Sequence, residues 1–285
     1  MTATRLPQKL SRARRVQNNA AVGLVVLGTV IVLLPLVLIS GYLLLQGVSS
    51  LNLNFFIQTP KPIGESGGGM GQAIVGSLIM IGLALVIGSL VGIASGIFLS
   101  EYSTHWLTRP IRLLSDVLTG VPAIVVGLVI YALLVRPLHS YSGLAGGVAL
   151  GLIMIPIVVR SSEEVLKLVP TNLREAGLAL GLPRWKVITA IVLPAARGGI
   201  VTGVMLAVAR VSGEAAPLLF TALGTSFWNV NLLKPMAALP LQIYQYAIQP
   251  YEDSNRQAWA GSLVLVALIL LASIVARLVT RQPRS

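Results

Sequence analysis

The chain alternates long apolar runs with short breaks that are polar, basic or rich in glycine and proline. Residues 20–45 carry no charge, and none appears between Glu65 and Glu101. About 20 apolar residues in a helix cross the hydrocarbon core of a bilayer. The pattern therefore predicts six transmembrane helices, over residues 20–45, 72–99, 116–135, 142–159, 198–219 and 257–276. A secretory signal is the alternative for the first run, but its apolar core is about 7–15 residues long and is followed by a small-residue cleavage site. Neither condition fits well, so an uncleaved helix is expected. In the second run Gly88, Gly92 and Gly96 recur every fourth residue, which allows two helices to approach closely in lipid.

Composition agrees. Of 285 residues, 55% are hydrophobic and 11% charged, with a mean hydropathy of +0.85. Soluble domains carry roughly 25% charged residues, so the chain is expected to be an all-α, polytopic membrane protein. It has no cysteine, which excludes disulfides, thiolate nucleophiles and cysteine metal sites. His105 and His139 are too few for an ordinary histidine cluster, and no metal site is expected.

The formal charge of +12 admits a nucleic-acid surface or a membrane topology. Six spans put both termini on one side. That side collects five basic residues before the first span, two in 101–113, six in 160–197 and three after the last span. The other side has Lys61, Arg136, Lys234 and Arg256, while Arg210 lies inside a span. The positive-inside rule then makes both termini cytoplasmic, and the charge reports topology. Residues 46–71 and 223–256 become outer loops. The second loop carries Trp228, Tyr244, Tyr246 and Tyr251, with a short helix expected over 239–248. It serves as a plug at the membrane surface, as a docking surface for a binding protein, or as both.

Segment 160–197 is too polar to span. Asn172 is placed to cap a helix, with Glu175 three residues later reaching back. That helix runs through Ala176 and Leu180 to a left-handed cap at Gly181. Pro183 suits the first turn of a second helix, and Pro194 is expected to break or kink it before the fifth span. An amphipathic anchor at the membrane surface and a docking element for a partner both fit this chemistry.

Two charges lie within the fifth span. Arg210 and Glu214 are four apart and are expected on one helical face. Arg210 is 12 residues beyond Gly198, a rise of about 18 Å, near the depth where transporters hold substrate. A charge there costs about 2.5–3.5 kcal/mol and faces a bundle interior or a water-filled path. Two roles stay open: a structural pair that fixes helix register, or a guanidinium offered to a passing oxyanion, whose oxygens suit its planar fork. Asp116 is expected to pair near the interface with Arg112, four residues earlier. Arg160, closing the fourth span, is a second path candidate, although an arginine snorkelling to the interface would look the same.

Glu175, Ala176, Gly177, Gly181, Ile191, Leu193 and Pro194 fit the pattern E-A-A, three residues, G, nine residues, I-x-L-P. That spacing resembles the coupling loop of permease subunits in bacterial ATP-binding-cassette importers. ARVSGEAAPLLFTA (209–222), PIVVRSSEEVLKLVPTNLREAGLALG (156–181) and LPLQIYQYA (239–247) look like the phosphate-specific permeases of that family, over most of residues 70–280. The resemblance implies a type I ABC importer transmembrane domain with a cytoplasmic coupling helix, in the bacterial cytoplasmic (inner) membrane. It divides the chain into a basic N-terminus, first helix and outer loop (1–70), a permease domain (71–280, coupling loop 170–196) and a tail (281–285). Glu175, Ala176, Gly177, Gly181, Leu193 and Pro194 become the ATPase-coupling positions, Gly177 replacing the usual second alanine, small for small. Arg210, Glu214 and, more weakly, Arg160 become the phosphate path.

The implied partners are a sister permease (PstC) that completes the pathway as a heterodimer, a dimer of the ATPase (PstB), a phosphate-binding protein (PstS), inorganic phosphate and membrane lipid. The subunit itself would hold no cofactor, ATP and Mg being bound by the ATPase. In agreement, no G-x-x-x-x-G-K-[ST] phosphate loop is present. The alternatives are a permease for another oxyanion or small solute, a secondary transporter, and an intramembrane enzyme, for which no converging acid–base set is evident.

Overall fold

The computed structural model describes residues 12–62, 65 and 67–280. Arg5, Lys9, Arg281 and Arg284 of the charge count, with the tail 281–285, lie outside the described residues. In chain order the helices are α1 (Arg12–Val48), α2 (Leu53–Ile57), α3 (Gly71–Glu101), α4 (Thr108–Gly120), α5 (Ala123–Leu138), α6 (Gly143–Lys167), α7 (Thr171–Ala179), α8 (Arg184–Ser212), α9 (Ala216–Thr221), α10 (Leu239–Ala247) and α11 (Glu252–Thr280). Of these, α1, α3, α6, α8 and α11 are each long and apolar enough to cross a membrane. A sixth crossing takes α4 and α5 together.

The expected third span is therefore not one helix: α4 and α5 meet at 105°. The cause lies at Pro122, because a proline pushes the preceding residue out of the helical region. Val121 accordingly sits at φ −72°, ψ 127°. The fifth span is interrupted as well. α8 stops at Ser212, Gly213 and Glu214 lie in the break, and α9 restarts with Pro217 in its first turn, where a missing N–H costs nothing.

Pro194, by contrast, does not end its helix. The preceding turn, Ile188–Val192, is a π turn in which the Leu193 N–H donates to the Ile188 carbonyl. The same device precedes Pro137, where the Arg136 N–H donates to Tyr131 across Tyr131–Val135. Proline lacks an N–H and its ring crowds the carbonyl four residues back; one wider turn removes both conflicts and lets the helix continue.

α3 and α6 form the central pair. Gly88, Gly92 and Gly96 face Met154, Val158 and Ser162, and a Cβ added at Gly92 would lie 2.6 Å from the Val158 Cβ. The glycine spacing is thus a helix contact. α8 packs on the same α6, with Gly199 against Val165 and Gly203 against Ser161, around a core that includes Met80, Leu150, Leu166, Val208 and Leu218. α1 packs on α11 through Tyr42 and Trp259, edge to face at 4.9 Å, and through the buried Gly47 against Leu263, and is exposed over residues 12–40.

The expected helix over 239–248 is α10, and it is woven into the bundle. Leu239, Pro240, Leu241 and Gln242 are buried, Gln72 donates to Gln242 at 3.0 Å, and the Leu239 N–H donates to the Ser77 hydroxyl at 2.6 Å. The neighbouring loop satisfies the start of α6: the N–H groups of Gly143 and Leu144 donate to Lys234 and Leu232 at 3.0 and 2.7 Å. Such N–H groups have no partner within their own helix. Ser142 adds a side-chain cap on Ala145 at 3.2 Å.

Candidate translocation site and coupling element

The α4–α5 bend borders a cavity, and Arg210, near the end of α8, stands in its wall. It measures about 500 Å³ and is lined by Leu118, Thr119, Val121 and Ala123 around the α4–α5 bend, by Ile153, Pro156 and Ile157 of α6, and by Leu206, Ala209 and Arg210 of α8. Its walls are apolar apart from Thr119 and the Arg210 guanidinium. Arg210 is level with the middle of α6, and it ion-pairs with Glu214 although α8 has already ended between them. The expectation of one shared helical face is corrected: Glu214 reaches Arg210 from the break. The Glu214 side chain is 14% exposed and that of Arg210 is 62% exposed. The carboxylate is packed in the protein, and it holds the arginine out over the cavity.

Arg160 does not line this cavity. It belongs to a second one of about 180 Å³, further along α4 and α6, with Arg112, Asp116, Glu163 and Lys167. The ion pairs there run as an antiparallel ladder, Arg112 to Glu163 at 2.6 Å and Asp116 to Arg160 at 2.5 Å, with Lys167 also on Glu163 at 2.6 Å. The expected Arg112–Asp116 pair is thus replaced. Because α4 lies along α6, each residue finds an opposite charge across the helix interface.

At this basic end, α7 and the start of α8 form the expected helix, glycine turn and helix. Gly181 takes φ +80°, the left-handed conformation that favours glycine. The expected capping box does not form. α7 starts at Thr171 behind Pro170 with no side-chain cap, which leaves Asn172 inside the first turn, past the cap position. Glu175 and Ala176 are exposed, whereas Gly177 is buried, and a Cβ there would lie 2.7 Å from Ile191 and 3.0 Å from Val187. Leu193 packs against the core while Pro194 stays exposed. Leu173, Leu178, Leu180 and Trp185 are exposed around this element.

Sequence reasoning missed what fastens the element. Glu101, the last residue of α3, is buried and receives Arg174 through Nε and Nη2, with Nη2 at 2.8 Å. Arg184 donates to the Glu101 carbonyl, and its guanidinium lies 4.5 Å from the Tyr102 ring centre. The only signal in the chain was an acid ending a long charge-free run; its partner is 73 residues away.

Bilayer-length helices, a charged pair beside a cavity between them and a polar helical element fastened to one end are the features of a membrane transport subunit. Residues 88–285 match the family described as binding-protein-dependent transport system inner membrane component, and the chain belongs to it. It is a multi-pass inner-membrane protein and a transport subunit with the type I ABC importer fold. Among its relatives, the phosphate transport system permease protein PstA of Pasteurella multocida is 48% identical over 238 residues, 83% of this chain and 84% of that protein. The protein of the same name in Yersinia pestis is 44% identical over 235 residues, 82% and 80% of the two chains. An inward-facing structure of the MetNI methionine ABC transporter has the same fold, with a TM-score of 0.61 at 20% identity over 75% of this chain and 98% of that one.

Proposed function

We propose that this protein is the permease subunit of an ATP-driven importer of inorganic phosphate. It forms half of the pathway, a second permease (PstC) forms the other half, an ATPase dimer (PstB) supplies ATP and Mg, and a binding protein (PstS) delivers phosphate. The names of relatives 44–48% identical support the cargo. The observation that carries the mechanism is Arg210, with its side chain 62% exposed halfway along the bundle. A charge facing lipid at that depth costs about 2.5–3.5 kcal/mol, so this face is one that water or a second subunit covers.

Phosphate released into the cavity meets one guanidinium in otherwise nearly apolar walls. The planar donor fork matches phosphate oxygens, and Glu214 shares that guanidinium, which keeps the anion from being trapped. Arg160 stands second, on the way from this cavity along α4 and α6 to the cytoplasm. The basic residues gathered toward that end of the sequence topology support a cytoplasmic position for α7 and both termini. There Glu175, Ala176, Gly177, Gly181, Leu193 and Pro194 shape the element that the ATPase moves. The exposed aromatic residues of the 223–256 loop face the binding protein on the other side.

The test is uptake of radiolabelled phosphate by the complex reconstituted in proteoliposomes, with sulfate and molybdate as competitors. Arg210→Gln is expected to lower the uptake rate by at least tenfold, the effect of losing about 1.4 kcal/mol, and Arg210→Lys to restore part of it. Unchanged uptake by Arg210→Gln would remove Arg210 from the path. Uptake competed by sulfate or molybdate as well as by phosphate itself would reassign the cargo to another oxyanion.

A further inference from the structure

A well-buried ion pair, Glu101 with Arg174, lies at the basic end of the bundle, away from the proposed path. The Glu101 side chain is only 6% exposed. A carboxylate so far from water needs a partner that meets both oxygens, and Arg174 does so: Nε lies 3.2 and 3.3 Å from them and Nη2 lies 2.8 Å from one. The same guanidinium also donates to the Leu166 carbonyl at 2.8 Å and the Val169 carbonyl at 2.5 Å. Leu166 is in the last turn of α6, and its carbonyl, which also accepts the Val169 N–H at 3.2 Å, takes a second bond from Arg174. One side chain of α7 thus binds the end of α3 and the end of α6 at once. Arg184 adds α8, through the Glu101 carbonyl and the Tyr102 ring. Only a guanidinium has enough donors in a fixed plane to do this.

The geometry points to Glu101 and Arg174 as the positioning pair that transmits movement of α7 into the α3–α6 unit. α3 and α6 are locked along the Gly88, Gly92 and Gly96 contact, and α6 forms one wall of the cavity that holds Arg210. α7 is otherwise held by short connections, Leu168–Pro170 on one side and the Gly181 turn on the other, and by Gly177 on Ile191. Those contacts alone would let a push on its exposed face be taken up by the turns. The buried pair makes α7 and the ends of both central helices move as one body. The inference rests on the reading that an ATPase acts on α7, and the exposed Leu178 and Leu180 beside it are the surface such a partner would press.

Two measurements test it on the assembled importer. The first is phosphate transported per ATP hydrolysed in proteoliposomes. Glu101→Gln is expected to lower this ratio by at least about fivefold, the lower end of ordinary coupling factors, with assembled complex recovered at wild-type yield. Arg174→Lys keeps the charge, loses the fork, and gives an intermediate ratio. A wild-type ratio in both variants overturns the proposal. So does a reduced yield of complexes whose ratio remains normal, since that is the mark of a purely structural pair. If Glu101→Gln does not assemble, the Arg174→Lys ratio decides alone.

The second measurement needs no cargo. The chain has no cysteine, so Thr104→Cys and Thr171→Cys, both at exposed positions, carry a pair of spin labels, with the other subunits freed of reactive cysteine. ATP is expected to leave their distance unchanged in wild type and to shift or broaden it in Glu101→Gln. A distance that changes with ATP in wild type refutes the clamp. Failure of wild type to carry phosphate refutes the cargo instead, and leaves this distance test standing.

Discussion

Gly92→Ala places a methyl group where α3 and α6 have no room. The new carbon would lie 2.6 Å from the Val158 Cβ and 2.7 Å from its Cγ1. Ordinary carbon contacts are about 3.5–4.0 Å, so the helices must separate by about 1 Å. Val158 cannot yield: it is fully buried, and a β-branched side chain has essentially one rotamer in a helix. Overpacking of this kind costs about 1–3 kcal/mol. Alanine also favours a helix over glycine by about 1 kcal/mol, which would mask part of the loss. Gly82→Ala supplies the control, since it lies in the same helix and has nothing within 4 Å of its added Cβ.

The difference between the two variants therefore isolates the packing term. Thermal unfolding of the purified protein in detergent is expected to place Gly92→Ala below Gly82→Ala. For chains of roughly this size each kcal/mol moves the midpoint by about 2–4 °C. Equal midpoints would refute the claim that the glycine stripe is the α3–α6 contact.

Other outcomes follow from the same geometry. Gly181→Ala should cost about 1–2 kcal/mol from its left-handed backbone alone, because nothing lies within 4 Å of the added carbon; faster hydrogen exchange in α7 is the readout. Ser142→Ala removes the buried cap on Ala145 and is expected to lower stability by about 1 kcal/mol, seen as a lower unfolding midpoint. Asp116→Asn breaks a pair whose partners are both well exposed and should leave that midpoint unchanged. Glu163→Gln, which strips Arg112 and Lys167 of a buried carboxylate, should lower it clearly.

Much of this was legible because charge-free length is a strong signal. α1, α3, α6 and α11 overlie the apolar runs that announced them, and the turn at Gly181 stands where glycine was expected. The misses share a cause, which is that their partners lie in another element. Asp116 has Arg112 beside it in sequence, yet pairing follows the neighbouring helix. Asn172 and Glu175 have capping-box spacing, but Pro170 already occupies the cap position and the helix begins two residues earlier than that motif requires. Arg174 carried no sign of its partner, because Glu101 comes from a helix far back in the chain. The break at Val121 was readable in principle from Pro122, but the apolar run across it favoured a single span. Proline misled in the opposite direction at Pro194, where the π turn absorbs it.

A π turn is one residue more than an α-helix of the same length needs. Deleting one residue within 188–192 would close the bulge and leave the side chains above and below it on their present faces. An insertion or deletion elsewhere in α8 would instead rotate everything beyond it by about 100°, moving Arg210 off its cavity relative to the α7 contact. The closed helix would no longer have room for the ring of Pro194, so the deletion should be accepted only together with Pro194→Ala. The proline and the surplus residue form one unit of sequence, gained or lost together.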